Sequence, residues 1–363
     1  MSPAVPTREP STARRAVLAG CGIAVPPLEV TNDRLSRVME TDDTWIRERT
    51  GIETRYFVEP GTGSSDLGAE AAREALDEAG LEATEVDYIV CATMTPDHYF
   101  PGVGTLVQER IGARPVAALD IRQQCAGFAY GLQVVDALIR GGTADNVLLV
   151  GTDVHTSLMP FSRRTWEVLL SEDDEDLEPA DYEFNTRFRH LVVLFGDAAG
   201  AMVFRAGEGG DAGILGSELH GDGANKDILY VPGVGSAARP FVDAEMIERA
   251  DSVPVMDGRQ VFKLAVTRMP KVTRRLLETG GYTLDDLDLL DMHQAHLRIN
   301  EAAQRALGLD DARVHNNIQR YGNTTSATLP LCFYQAPAAG KAEPGSPVAF
   351  TAAGAALHRG SML

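Results

Sequence analysis

Short apolar runs and amphipathic stretches alternate along this chain. Residues 116–121 (VAALDI) form a compact apolar run that reads as a buried strand. Residues 126–140 place Phe128, Leu132, Val135 and Ile139 near one helical stripe. The alternation begins with a strand and turn at 16–25 and a helix start at 41–46, where Thr41 or Asp42 is the cap. An amphipathic helix over 65–79 is closed by Gly80. Then come a strand at 86–92, a loop at 95–102 (TPDHYFPG), a helix at 105–111 and a strand at 146–151. Residues 191–204 read as strand, turn and strand around FGDAAG at 195–200.

The second half repeats this order. A helix over 262–277 runs into Gly280-Gly281, as the earlier helix runs into Gly80. The stretch LDLLDMH at 287–293 matches VDYIVC at 86–91, each a strand entered after a short acidic turn. A helix at 300–307 ends at Gly308, and YGNTTSA at 321–327 opens a helix where Gln124-Cys125-Ala126 opens one. PVAFT at 347–351 corresponds to NVLLV at 146–150. The residues are barely similar but the order is the same, which predicts an internal duplication of a βαβ-rich unit with two sheets related by a pseudo-twofold. Equivalent loops, carrying Cys125, His293, Asn323 and Gly354, then meet on one face.

Composition narrows the class. A chain of 363 residues, 44% hydrophobic and 23% charged, can bury a large core as a soluble globular protein. Its longest apolar runs are strand length, so no membrane span is expected. Residues 1–14 read as a loose tail rich in Pro, Ser, Thr and Arg, neither a signal nor a transit peptide. Cys21, Cys91, Cys125 and Cys332 lie far apart without metal-ligand spacing, which fits a reducing cytoplasm and no bound metal. A formal charge of −19 disfavours nucleic acid and anionic membrane as main partners. GVGSAA at 233–238 has the outline of a dinucleotide fingerprint, but the following Arg239-Pro240 extends a helix badly, so it reads as a loop.

Cys125 sits where a strand ends and a helix begins. Unsatisfied N–H groups and the positive dipole end favour thiolate there, so a lowered pKa and nucleophilic character are expected. Most free cysteines are instead small buried apolar residues, and a reactive one needs a base and an oxyanion partner. A histidine ending an apolar strand, such as His293, is often a hydrogen-bonded core residue, and Asn323 after Gly322 can simply cap a helix. The three gain weight together, because each falls at a strand-to-loop end in halves that face each other.

Five segments resemble, in order, the β-ketoacyl-ACP synthase III branch of the thiolase superfamily: TDDTWIRERTGI (41–52), DIRQQCAGF (120–128), FGDAAGA (195–201), HQAHLRI (293–299) and YGNTTSA (321–327). The resemblance spans most of the chain from Ala16 onward. It implies an α/β thiolase-like fold of five layers, αβαβα, internally duplicated, and a homodimer. The halves are 15–206, with an acidic insertion at 161–188, and 207–363. It also implies a catalytic set of Cys125, His293 and Asn323. Cys125 takes an acyl group from a coenzyme A or acyl-carrier-protein thioester, with the backbone N–H groups of Cys125 and Ala355 as oxyanion hole. His293 and Asn323 then donate to the thioester oxygen of a malonyl-type unit, carbon dioxide leaves, and the enolate attacks the acyl-cysteine to give a β-ketoacyl product. Trp45, Arg49 and Arg189 match positions near the adenine and phosphates of coenzyme A. Lys263, Arg298 and Arg305 match a basic patch that receives the acidic carrier protein. Phe100 matches a gate residue reaching into the partner's acyl pocket. The long-chain condensing enzymes of olefin biosynthesis have a glutamate base there, so Phe100 argues against their non-decarboxylative chemistry. No cofactor is implied beyond the thioester substrates.

Several positions depart from the family. Its glycine triplet reads Gly354-Ala355-Ala356, and the flanking aromatic residues are replaced by Ala353, Leu357, His358 and Arg359. Gln123-Gln124 stand where smaller residues are common. The insertion carries SEDDED at 171–176 and leads into Tyr182, Phe184 and Phe188, as a solvated face or a lid. These departures point to a specialised pathway. Two other readings stay open: transfer of the Cys125-bound acyl group to a carrier, alcohol or amine without carbon–carbon bond formation, and a non-catalytic scaffold.

Overall fold

The computed structural model describes residues 14–171, 176–208 and 212–363. The expected tail, apart from Arg14, and the centre of the acidic run at 171–176 lie outside the described residues.

Ten strands build two sheets: β1 (Arg14–Ala24), β2 (Tyr88–Ala92), β3 (Ala117–Ile121), β4 (Asn146–Asp153), β5 (Ala198–Glu208), β6 (Ser217–His220), β7 (Leu289–Met292), β8 (Val314–His315), β9 (Val348–Ala353) and β10 (Arg359–Met362). The first sheet runs β1-β5-β4-β2-β3 and the second β6-β10-β9-β7-β8. In each, the three strands furthest from β1 or β6 are parallel and the remaining pairings antiparallel. Adding five to each label of the first sheet gives the second. The repeat read from element order is thus present in strand order and direction.

Seven helices frame the sheets and the site: α1 (Asp43–Thr50), α2 (Ser64–Ala79), α3 (Val103–Arg110), α4 (Gly127–Arg140), α5 (Gly258–Gly280), α6 (Leu297–Leu307) and α7 (Thr328–Gln335). α4 and α7 lie between the sheets, α2 and α3 cover the outer face of the first, and α5 and α6 cover the second. This gives the five layers αβαβα. The stripe Phe128, Leu132, Val135 and Ile139 of α4 is fully buried, in one core with Val90 and Leu149 of the first sheet and Ala352 and Met362 of the second. Burying each such side chain is worth about 1.5–3 kcal/mol, so the middle layer welds the halves. α2 and α5 each end on a left-handed glycine, Gly80 at φ 60° and Gly281 at φ 78°.

The duplication reaches single residues. A 3-10 turn, Gln124–Ala126, precedes α4, and another, Thr325–Ala327, precedes α7. Each opens on a non-glycine residue with positive φ, Gln124 at 46° and Thr325 at 51°. Cys125 therefore corresponds to Ser326. Asp153, at the end of β4, ties the second of these turns to the first half from a fully buried position. Its Oδ1 accepts Thr93 Oγ1 (3.1 Å), Met94 N (2.8 Å), Thr95 N (3.1 Å) and Thr95 Oγ1 (2.9 Å), all from the first half. Its Oδ2 accepts Ser326 N (3.0 Å) and the hydroxyls of Thr325 and Ser326, all from the second.

Two local expectations change. The run at 116–121 is an edge strand, β3, with Leu119 39% exposed rather than buried, because among the described residues no strand lies beyond it. Residues 191–195 are not a strand: Arg189–Val192 is a short helix, and the sheet resumes at Ala198. Leu191, Val192, Val193 and Leu194 are all buried against Leu35, Ile46 and Phe57. An apolar run buried on every side carries no period that separates helix from strand. Among the described residues no helix is long and apolar enough to cross a membrane.

Candidate active site

Cys125 stands on its 3-10 turn between β3 and α4 and is 8% exposed. Two glycines make the close packing possible. A Cβ at Gly127 would lie 3.1 Å from Ala92 Cβ, so the helix start passes tightly over β2. A Cβ at Gly354 would lie 3.2 Å from the amide nitrogens of Cys125 and Ala126, so the turn after β9 rests on the cysteine backbone. Gly354 brings Ala355 into the wall of a cavity of about 300 Å³. Cys125, His293 and Asn323 line that cavity with Trp45 and Arg49. The three chemical residues, drawn from both halves, thus share one chamber.

His293 follows β7 and is tied to β9 by its N–H, which donates to Thr351 O at 2.9 Å. Its Nδ1 lies 2.6 Å from Thr328 Oγ1. That hydroxyl donates its single proton to Thr325 O at 3.0 Å, so the ring must be the donor at Nδ1. Nε2 is then the unprotonated nitrogen, buried and without a partner among the described residues. Burial pushes the imidazole down to about 3, which keeps it neutral. Asn323 is fixed by its backbone, through Asn323 N to Leu194 O (2.8 Å) and Gly196 N to Asn323 O (3.1 Å). Its Oδ1 accepts Thr325 N at 2.9 Å, which leaves the NH2 end as the donor facing the chamber.

The thiol departs from expectation. Burial, and then the Asp153 carboxylate, push Cys125 up to about 12, so it rests as a thiol. The regular helix begins only at Gly127, and burial outweighs the field of its first turn. Nucleophilicity then requires that a base take the proton during attack.

At the cavity mouth Trp45, capped through its N–H by Asp42 Oδ1 at 2.7 Å, carries two guanidinium groups. Arg49 lies 4.3 Å and Arg189 4.7 Å from the ring centroid. Arg189 also donates to Glu40 O at 2.5 Å and is not part of the cavity wall. Lys263, Arg298 and Arg305 are exposed on α5 and α6, with Arg298 5.9 Å from the Phe262 ring centroid and Arg305 3.9 Å from Glu301. Phe100 is 80% exposed and outside the cavity.

Sequence reading missed most of the apolar wall. Phe262, Ala265 and Met269 of α5 line it at intervals of three and four residues, a legible stripe that shows only that a face is buried. His296 was missed too; its Nδ1 accepts Arg298 N at 3.3 Å, and burial, then the Arg298 charge, push it down to about 4. No described residue of the insertion lines the cavity: His190 and Val193, just after it, do, whereas Phe184 and Phe188 pair with each other, centroids 5.3 Å apart. Phe195, also in the wall, stacks on the buried His155 with centroids 3.5 Å apart.

These buried groups set an acid limit. His155 and His293 are both pushed by burial from the usual 6.5 to about 3, so the unfolded chain takes up protons first as pH falls and stability is lost below 6.5. Asp197 has the opposite sign: burial raises it from 3.8 to about 6, and what it contributes is present below 3.8 and lost as pH rises through 6. At about 1.4 kcal/mol per pH unit, acidification from pH 7 to pH 5 costs about 2 kcal/mol per histidine and recovers about 1 at Asp197. A net loss of stability is expected in denaturant unfolding, because the histidine cost exceeds the recovery at Asp197. Equal stability at the two pH values contradicts it.

Comparison with known proteins agrees with this geometry. The family model described as 3-oxoacyl-[acyl-carrier-protein (ACP)] synthase III matches residues 119–172, and that of its C-terminal part matches residues 277–363. A β-ketoacyl-[acyl-carrier-protein] synthase III of Rhodospirillum rubrum is 40% identical over 354 residues, covering 96% of this chain and 98% of its own. Synthase III 3 of Streptomyces coelicolor is also 40% identical, covering 96% of both chains. Among solved structures, the synthase III of Pseudomonas aeruginosa superposes with a TM-score of 0.80 at 35% identity, covering 96% of this chain and 97% of that one. The priming β-ketosynthase of the R1128 polyketide pathway superposes at 0.82 and 28% identity, covering 99% and 98%. With its duplicated five-layer fold and near full-length similarity, the chain belongs to the β-ketoacyl-ACP synthase III family of thiolase-fold condensing enzymes.

Proposed function

We propose that the chain loads an acyl group from acyl-CoA or an acyl carrier protein onto Cys125 and condenses it, with loss of carbon dioxide, onto a malonyl-type thioester. The observation that carries this reading is the common chamber of a buried thiol, an unpartnered imidazole nitrogen and a side-chain amide donor. In the first half-reaction the thiol proton passes to His293 Nε2 as sulfur attacks the thioester. The N–H groups of Cys125 and Ala355 hold the oxyanion. The tetrahedral adduct expels the donor thiolate, which takes the proton from His293. In the second, the extender loses carbon dioxide and its thioester oxygen gains charge. Asn323 Nδ2 donates to it, and the negative charge developing beside His293 raises the basicity of Nε2, which takes a proton from solvent and donates to the same oxygen. The enolate carbon attacks the acyl carbon, the Cys125 sulfur leaves, and the proton on His293 restores the thiol. No metal and no resident cofactor enters this scheme.

Trp45, Arg49 and Arg189 are the proposed contacts for the nucleotide end of coenzyme A. The exposed Lys263, Arg298 and Arg305 are the proposed landing surface for an acidic carrier protein, whose approach they steer despite the net negative charge. The edge strand β3 and the exposed Phe100 support a homodimer in which β3 pairs with its copy. The altered turn at 353–359 and the similarity to a priming polyketide ketosynthase support a specialised pathway in the cytoplasm.

The test is the intact mass of the protein after mixing with a panel of acyl-CoAs and acyl carrier proteins, with Cys125→Ala alongside. An acyl mass gain that disappears in the variant is expected, followed by carbon dioxide release on adding malonyl thioester. A gain without carbon dioxide release means simple acyl transfer, and no gain with any donor returns the chain to a scaffold. Reversing charge at Lys263 and Arg298 in the same assay is expected to slow loading from carrier protein more than from coenzyme A.

A further inference from the structure

The turn that supplies Ala355 to the chamber is strained. Ala356 adopts φ 51° and ψ 24°, a left-handed conformation that costs a residue with a Cβ about 1 kcal/mol or more. Neighbouring structure must therefore enforce it. Gly354 N donates to His358 O at 2.7 Å and His358 N to Ala355 O at 3.2 Å, which closes the turn on itself. Asp222 N donates to Ala356 O at 3.1 Å, which anchors it to the chain beyond β6.

One side chain then connects this turn to the nucleophile's own helix. Tyr130, on α4 five residues after Cys125, places its hydroxyl 2.8 Å from His220 O on β6 and 3.3 Å from His358 Nδ1. The two rings meet edge to face, centroids 5.6 Å apart at 90°. Proton counting fixes the sense of both bonds. The phenol has one proton, and the carbonyl of His220 can only accept, so Tyr130 donates there. His358 must then donate from Nδ1 to the phenol oxygen. Burial holds the imidazole below its usual range, so it is neutral with its single N–H on Nδ1. The phenol thus ties together α4, β6 and the turn, while Gly354 in that turn lies against the Cys125 amide.

We propose that Tyr130 and His358 form a positioning clamp that sets the Ala355 N–H relative to the Cys125 sulfur, and with it the oxyanion hole of the acylation step. The proposal rests on the oxyanion reading above. A hydrogen-bond donor displaced by a fraction of an ångström from a developing oxyanion loses much of its effect, so the clamp acts on rate and not on donor binding.

Single-turnover acylation of Cys125, followed by intact mass across donor concentrations, tests it in wild type, Tyr130→Phe, His358→Ala and His358→Asn. Tyr130→Phe and His358→Ala are expected to lower the saturating rate about tenfold or more, with the half-saturating donor concentration unchanged. His358→Asn puts an amide N–H near the place of Nδ1–H and is expected to stay within about threefold of wild type. A purely structural pair lowers Tm without touching the saturating rate at 25 °C, and that result overturns the clamp. Nitrogen NMR of His358 in the wild-type protein gives a check that no variant can confuse: an Nδ1–H tautomer supports the clamp and an Nε2–H tautomer overturns it. Failure of the wild type to acylate at all would remove the oxyanion reading itself.

Discussion

Asn323→Ala is expected to leave Cys125 acylation near the wild-type rate while slowing condensation by about 10²–10³-fold, or about 2.7–4 kcal/mol. The split follows from where each donor stands. Acylation draws on the N–H groups of Cys125 and Ala355 and on the basic Nε2 of His293. The amide of Asn323 has its oxygen occupied by Thr325 N, so only its NH2 end can meet a developing oxyanion in the chamber. The backbone of Asn323 is held by Leu194 O and Gly196 N, so truncating the side chain removes the donor without releasing the segment. His293→Ala should behave differently, because it removes the proton acceptor of the first step and a donor of the second. Intact-mass kinetics of acylation beside carbon dioxide release separates the two residues. Equal losses of both half-reactions in Asn323→Ala would mean that the amide serves as a support for the turn and not as a donor to the extender.

Asp153→Ala is expected to be the most destabilising single change near the site, by about 3–5 kcal/mol. The carboxylate is fully buried and takes no cation as partner among the described residues; its charge is met by hydroxyls and N–H groups alone. Each hydrogen bond to a charged acceptor is worth about 1.5–3 kcal/mol, and removal leaves several donors unsatisfied in the interior. Asn in its place keeps the shape but turns an NH2 towards groups that already donate, so it should lose nearly as much. For a chain of this size the fall in Tm is on the order of 5 °C. Since one oxygen serves each half, the seam between the loop at 93–95 and the turn that precedes α7 should open first. A Tm within about a degree of wild type would remove Asp153 from that structural role.

Element order and chemistry were legible in the sequence because both depend on local signals. Gly80 and Gly281 mark helix ends through a backbone conformation that few other residues accept, and Cys125, His293 and Asn323 fall at strand-to-loop ends that repeat across the halves. What failed to show was whatever depends on neighbours distant in sequence. The apolar run of β3 looks the same whether a chain covers it or leaves it at an edge. The run 191–195 is packed on all sides and so loses its period. The Cys125 thiol was assigned by its place at a helix start, yet its proton is governed by burial and by Asp153, which only the fold brings close. The connection of Tyr130 to His358 spans 228 residues, and no spacing rule reaches that far.

The duplicated turns also record a division of labour. Cys125 and Ser326 occupy the same place in two copies of one backbone device, each after a left-handed residue and before a buried helix. A serine hydroxyl there is a close chemical cousin of the thiol, but Ser326 is buried, donates its hydrogen bond to Asp153 and does not line the chamber. One copy carries the thiol, and the other fastens the two halves through Asp153. The two turns also pack closely, since a Cβ at Gly127 would lie 3.9 Å from Ser326 Cβ. A change at Ser326, a residue that touches no substrate in the proposed scheme, would therefore be felt as a loosened joint between the halves beside the nucleophile, and the two turns should be expected to evolve as a pair.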